Sequence, residues 1–280
     1  MNTSKCLKVK ENERLLCEAT IAVVIPAKNE ECHIQGVLEG LPGWVDHAIV
    51  VDDGSIDRTH QIASESLRCT HLVRHKVSKG VGAAIASGYR LALELDATVI
   101  AVMAGDDQMR PEELVDLVLP VLQGELDYAK GNRLAHPRAL CDMPRARRVG
   151  TKVLSKMTRW VSGIHTMDAQ CGYTAISQST LKRLPLHSLY PRYGYPNDLL
   201  AMLGCVRAKV GEFVVSPVYA GQASGIRVNR ALFTHSWVLL RAAWLNRSRR
   251  RVSATLECQE ASEVRTLRSN SDGATMREAG

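Results

Sequence analysis

Two short acidic segments, each at the end of an apolar run, are the residues of this chain best placed to do chemistry. Asp52-Asp53-Gly54-Ser55 follows Val50-Val51, and Ala27-Lys28-Asn29-Glu30 follows the run from Ile21 to Pro26. Apolar runs of about four to eight residues separated by helical patterns read as buried parallel strands. Open sheets of that kind bind ligands in the crevice outside the strand carboxyl ends. Two successive strands therefore offer carboxylates to one crevice. The local alternative is that Asp52, Asp53 and Asp57 cap the helix that follows.

The elements needed to position these groups are visible in the pattern. Strands at 21–25, 47–51, 72–75 and 98–103 alternate with helices at 30–41, 56–67 and 81–95, and Pro111-Glu112-Glu113 opens a further helix to about Leu122. A proline in the first turn with acids beside it is a helix start. After a strand near 127–130 and a loop with Pro137 and Pro144, a helix is expected at 145–163, strands at 173–176 and 213–218, and a helix at 198–208. The βαβ alternation predicts an α/β fold with a mostly parallel sheet flanked by helices and right-handed crossovers. The division expected is a loose extension over 1–18, one α/β domain over 19–228, an amphipathic helix over 229–252 and a disordered polar tail over 253–280.

Composition narrows the classes. Eight cysteines are scattered without a Cys-x-x-Cys spacing, which argues against a zinc ribbon or redox pair and reads as reduced thiols. Residues 1–19 carry charges rather than a continuous apolar stretch, so no secretory signal is read and a cytoplasmic protein is expected. The net charge of +7 concentrates in Arg145–Arg159 and Arg227–Arg251, which suits phosphate groups. Nucleic acid is not the expected partner. Aromatic residues make up 5% of the chain, and none interleave with the arginines as stacking platforms would.

The run Val23-Val24-Ile25-Pro26-Ala27-Lys28-Asn29-Glu30-Glu31, then Val51-Asp52-Asp53-Gly54-Ser55, resembles the opening of a family 2 glycosyltransferase of GT-A fold. It is most similar to the dolichyl- and polyprenyl-phosphate sugar synthases. The likeness continues through Lys79-Gly80-Val81-Gly82, Gly105-Asp106-Asp107-Gln108, Lys130-Gly131-Asn132-Arg133 and Asp168-Ala169-Gln170-Cys171-Gly172-Tyr173. The resemblance implies a nucleotide-sugar donor, with Glu30 and Asp53 accepting hydrogen bonds from ribose and base. Pro26, Ala27 and Gly54 would allow close approach, and Lys79 and Gly82 would border the nucleotide. It further implies Mg2+ or Mn2+ held by Asp106 and Gln108. Ala104 stands where the family's Asp-x-Asp motif has its first aspartate, which shortens the ligand set. Lys79-Gly80-Val81-Gly82 lacks the ending of a phosphate-binding P-loop and the full dinucleotide fingerprint.

On the acceptor side, Arg133 matches an arginine that binds acceptor phosphate in the synthases, with Arg147 or Arg148 as its companion and Gln170 nearby. If the acceptor is a hydroxyl, Asp168 is the candidate general base; if it is a lipid phosphate, the nucleophile is already ionised and needs cations instead. At 145–164, Arg145, Arg148, Lys152, Lys156 and Arg159 lie beside an apolar stripe of Val149, Val153, Met157, Trp160 and Ile164. That is the pattern of a helix on an anionic membrane surface or of one packed on its own core. Phe233, Trp237, Leu240 and Trp244 beside Arg247–Arg251 repeat it. The expected activity is inverting transfer of a hexose from a GDP- or UDP-sugar to a polyprenyl phosphate at the inner face of the cell membrane. A hydroxyl-directed transferase and a catalytically impaired nucleotide-sugar-binding protein are the alternatives.

Overall fold

The structure, a computed structural model, describes residues 3–137 and 145–217, with the side chains of 3–10 and 145–148 outside that description. The expected helix at 229–252 and tail at 253–280 lie outside the described residues. The strands are β1 (Ile21–Ala27), β2 (His47–Asp52), β3 (His71–Arg74), β4 (Val99–Val102), β5 (Tyr128–Asn132), β6 (Thr174–Ser177) and β7 (Val210–Val214). The helices are α1 (Thr3–Glu18), α2 (Ile34–Glu39), α3 (Thr59–Glu65), α4 (Val81–Glu94), α5 (Leu114–Leu122), α6 (Arg145–Ser162), α7 (Gln178–Lys182) and α8 (Tyr195–Cys205).

One sheet of seven strands runs in the order β3-β2-β1-β4-β6-β5-β7. β1 pairs in parallel with β2 and β4, and β2 with β3. β6 lies antiparallel between β4 and β5, and β7 closes the edge in parallel with β5. The α/β, mostly parallel architecture is therefore the one the pattern predicts. Because the chain leaves β1 toward β2 on one side and returns as β4 on the other, the topological switch point falls between β1 and β4, where such sheets open their ligand crevice.

The alternation of β1 builds two cores at once. Ile21, Val23 and Ile25 face α1, α2 and α5, while Ala22 and Val24 face α4 and α8. Every residue of β1 is buried, as a strand covered on both faces must be. Gly88 of α4 lies directly on Val24, where a Cβ would come within 2.2 Å of a Val24 methyl. Absence of that carbon is what lets the helix sit on the strand.

The expected loose extension over 1–18 is, from Thr3 to Glu18, a helix. Leu16 is buried in the core beneath β1, and Gln123, just past α5, donates to Asn12 Oδ1 at 3.0 Å. A contact between residues 111 positions apart leaves no local periodic trace. Helix α2 begins only at Ile34 because Asn29 takes a left-handed φ of 56°. The last strand falls at Val210–Val214 rather than 213–218, since its register is set by pairing with Tyr128–Asn132.

Candidate functional site

The carboxyl ends of β1, β2 and β4 are fastened to one another through the backbone. Pro26 C=O accepts from Gly105 N–H at 3.2 Å and Ala27 C=O from Asp53 N–H at 2.9 Å. Farther out, Asn29 N–H donates to Ser55 Oγ, Ile56 N–H to Asn29 Oδ1 and Glu30 N–H to Thr59 Oγ1. Pro26 and Ala27 are buried and act through these carbonyls. Asp57 accepts from Thr59 N–H, the first residue of α3, and from Glu31 N–H, so it joins two loops at the helix start, where the N-cap residue itself is Arg58.

Asp53 is the most heavily engaged acid of the crevice. Oδ1 accepts from His75 Nδ1 at 2.7 Å and Lys79 N–H at 2.8 Å; Oδ2 accepts from Ser78 Oγ at 2.7 Å and Gly80 N–H at 2.8 Å. Burial pushes its carboxyl up, but these bonds, led by the one from His75, hold it below the usual range. A carboxylate has about four lone-pair sites, and here the protein's own donors occupy that many. The structure thus puts Asp53 in the role of shaping the Ser78–Gly80 loop.

The glycines have the same inward purpose. A Cβ on Gly54 (φ 72°) would lie 2.9 Å from Ser78 N, and one on Gly82 would lie 2.1 Å from Tyr190 O. Ala83 N–H donates to Pro191 O at 3.1 Å. The close approach expected at Gly54 and Gly82 is therefore to the protein's own chain, and the loop's Lys79, Gly80 and Ala83 N–H groups already have partners. The side chain of Lys79 stands exposed.

Glu30 and Asp106 behave differently. Burial raises the Glu30 carboxyl, its hydrogen bond to His33 only partly offsets this, and the charge of Asp106 raises it further. Burial also raises Asp106, which accepts the Gln108 backbone N–H at 3.2 Å and has Asp107 beside it. Two acids short of positive partners are what a hard divalent ion satisfies, so these residues fit the expected metal, with Asp106 central. No group of three His, Cys, Asp or Glu side chains converges as a metal site among the described residues. That fits an ion that takes the rest of its shell from phosphate oxygens and water.

The second half of the site lies between β5 and β7. Asp168 is fully buried and grips Arg133 bidentately: Nε to Oδ2 at 2.8 Å and Nη2 to Oδ1 at 3.0 Å. Burial pushes the Asp168 carboxyl up, but the charge of Arg133 outweighs it, with Lys130 assisting, and holds the group below the usual range. Lys130, itself fully buried, donates to the backbone oxygens of Asp168 and Cys171. Glu212 on β7 secures the segment before Asp168, accepting from Thr166 Oγ1, Met167 N–H, Asp168 N–H and Asn132 Nδ2. Gln170 donates to the buried Asn197. Arg147 and Arg148 fall in the first turns of α6, and their side chains lie outside the described residues.

Sequence reasoning missed Glu212, Lys130, His75 and Asn197. A lone charge inside an apolar strand was the available signal for Glu212 and Lys130; His75 and Asn197 carried none.

Helix α6 is turned inside out relative to a core-packed helix. Its buried face carries Thr151, Leu154, Ser155, Thr158 and Ser162, whereas Val149, Val153 and Trp160 of the expected stripe are 60%, 46% and 83% exposed; its other two members, Met157 and Ile164, are half-buried, Ile164 against the core. Lys152, Lys156 and Arg159 are exposed beside the exposed members. The inner hydroxyls hold the Asp168 segment: Ser155 Oγ donates to Met167 O and accepts from Ala169 N–H, and Thr158 meets Asn197. No described helix is long and apolar enough to cross a membrane.

A mostly parallel seven-stranded sheet with acid-bearing loops at its switch point is the GT-A architecture of glycosyltransferases. The chain belongs to glycosyl transferase family 2, whose profile matches residues 22–184. The UDP-N-acetylglucosamine–dolichyl-phosphate N-acetylglucosaminyltransferase of Methanococcus voltae is 29% identical over 220 residues, covering 73% of this chain and 88% of the relative. The polyprenol monophosphomannose synthase of Mycolicibacterium smegmatis is 32% identical over 181 residues, covering 60% and 65%. Among solved structures, glucosyl-3-phosphoglycerate synthase from Mycobacterium tuberculosis, in complex with Mn2+, UDP and glucosyl-3-phosphoglycerate, superposes with a TM-score of 0.62 over 84% of each chain at 23% identity. That last likeness establishes the fold.

Proposed function

We propose that this glycosyltransferase moves a hexose from a GDP- or UDP-sugar to a polyprenyl phosphate, with inversion, at the inner face of the cell membrane. The observation that supports this most is the state of Asp168. A buried carboxylate held below its usual range and clamped on a guanidinium is a poor proton acceptor, since an effective general base has a pKa near the working pH. An acceptor that arrives already ionised needs no base. It needs the arginine, and Arg133 held by Asp168 is oriented for one.

In this reading Asp106, with Gln108, would hold Mg2+ or Mn2+, which would supply positive charge for a departing nucleoside diphosphate. Glu30 takes a donor hydroxyl, and Asp53 keeps the Ser78–Gly80 loop in shape around the nucleotide. Arg133, with Arg147 or Arg148, holds the acceptor phosphate while one of its oxygens attacks the anomeric carbon from the side opposite the bond that breaks. Helix α6 would place Val149, Val153 and Trp160 in the bilayer interface and Lys152, Lys156 and Arg159 among anionic headgroups, because apolar anchors and basic charges together bind such surfaces.

The deciding assay offers GDP-mannose, UDP-glucose and UDP-N-acetylglucosamine with a polyprenyl phosphate and with sugar hydroxyl acceptors, for the parent, Asp168→Asn and Arg133→Ala. Transfer to the lipid phosphate that depends more on Arg133 than on Asp168 is expected. Transfer to a hydroxyl acceptor, lost about 10²–10⁴-fold in Asp168→Asn as for a missing base and nearly intact in Arg133→Ala, would sink the proposal. Separately, Val153→Glu with Trp160→Glu should release the protein from anionic liposomes.

A further inference from the structure

Between α4 and residues 186–191 a cleft of about 360 Å³ opens. Lys79, Ser87, Arg90 and His187 line it, and among the described residues no carboxylate does. None of the ion pairs among the described residues involves Lys79 or Arg90. Basic groups around a concavity without local counter-charge, with a hydroxyl at hand, are the chemistry of a phosphate site. Glu30, Asp106, Arg133 and Asp168 take no part in it.

The cleft is wired to the crevice. Arg90 Nη2 donates to Ser87 Oγ at 3.2 Å, Ser87 Oγ lies 3.0 Å from His75 Nε2, and His75 Nδ1 lies 2.7 Å from Asp53 Oδ1. An ionised carboxylate only accepts, so His75 Nδ1 carries a proton toward Asp53, and in the neutral imidazole Nε2 then accepts the Ser87 proton. Ser87 has a single proton. An anion that takes it, together with the Arg90 N–H, removes a partner from His75 and so loosens the group that holds Asp53 and, through it, the Lys79 and Gly80 amides.

We propose that this cleft binds a phosphate-bearing anion and that its occupancy is coupled through Ser87, His75 and Asp53 to nucleotide binding in the crevice. Coupling between two binding sites is reciprocal, so either ligand reports on the other.

The test titrates inorganic phosphate into the full-length protein by calorimetry, first alone and then with the crevice filled by UDP or GDP. One saturable site is expected in both, with an affinity that shifts when nucleotide is present. Arg90→Gln combined with His187→Ala should weaken it about ten- to a hundredfold, the usual loss for hydrogen bonds to charged groups, with an unchanged melting profile. Ser87→Ala should keep phosphate binding and abolish the shift. Phosphate heat that vanishes whenever nucleotide is bound, or is the same in the double variant, overturns the site. Coupling that survives in Ser87→Ala overturns the relay. Glycerol phosphate and vesicles carrying phosphatidic acid are run in parallel, and whichever binds more tightly identifies a soluble or a lipid source. Because phosphate is titrated without any donor, failure here leaves the reading of the sugar-transfer reaction untouched.

Discussion

In the loops after β1, β2 and β4, most carboxylates are already taken up within the protein: Asp53 by His75 and by Lys79 and Gly80 N–H, Asp57 by Glu31 and Thr59 N–H, and Asp52 by Ser55 N–H and Arg74. Beside β5 and β7 the acids answer to a neighbouring side chain or a single loop, Asp168 to Arg133 and Glu212 to the Thr166–Asp168 segment. What the first region leaves over is a surplus of negative charge at Glu30 and Asp106, both raised by burial. The second leaves none, since Asp168 is held low. Acids whose charge is already matched are architecture; those whose charge is unmatched are where a cation or a hydroxyl-rich ligand gains most by binding.

The sharpest way to break this contrast is Asp168→Asn. Removing one partner of a buried pair costs about 3–5 kcal/mol, so chemical denaturation should show a loss on that scale. A stable Asp168→Asn protein would mean that Arg133 does not depend on it. The pH dependence carries a definite sign. A carboxyl held below its unfolded value stabilises above that value, and the stability fades as pH falls below about 4 toward the folded value. The acid limb of a stability–pH profile should therefore flatten in the variant.

Glu212→Ala comes next, with about 1–3 kcal/mol lost for buried donors left unsatisfied, and with faster hydrogen exchange at the Met167 and Asp168 amides. Asp53→Asn should fall somewhat lower, about 1–2 kcal/mol, because an amide cannot accept from as many donors. Exchange should quicken at Lys79 and Gly80, and nucleotide affinity should drop with or without Mn2+. An effect seen only with metal would mean that Asp53 belongs with the cation. Smallest on stability is Asp106→Asn, expected to change it by no more than about 0.5 kcal/mol in the metal-free protein, in the stabilising direction, while removing the Mn2+ response of nucleotide binding. A clear destabilisation there would show that Asp106 is matched after all.

The sheet was legible because β1, β2 and β4 are buried on both faces and therefore read as unbroken apolar runs, and because Asp53 and Asp106 sit where two of those runs stop. Helix α1 was not, since only Leu16 and a distant contact hold its visible end. The glycines at 54 and 82 were read as making room for a ligand, and only three-dimensional proximity to Ser78 and Tyr190 shows otherwise. Glu212 lies 44 residues from Asp168, a separation at which spacing carries no information. The stripe on α6 was legible as a stripe; which way it faces was not, because periodicity fixes relative faces and never their orientation.

That orientation inverts the rules by which substitutions on α6 would be tolerated. On most amphipathic helices drift is free on the outside and restricted to apolar residues within. Here Val149, Val153 and Trp160 stand largely in solvent, so a chain evolving in water alone would keep them under weak constraint. Thr151, Ser155, Thr158 and Ser162 would resist becoming leucine, for want of room and because their hydroxyls are in use. Wherever relatives keep the outer stripe greasy and the inner one hydroxylated, something other than folding has been doing the selecting.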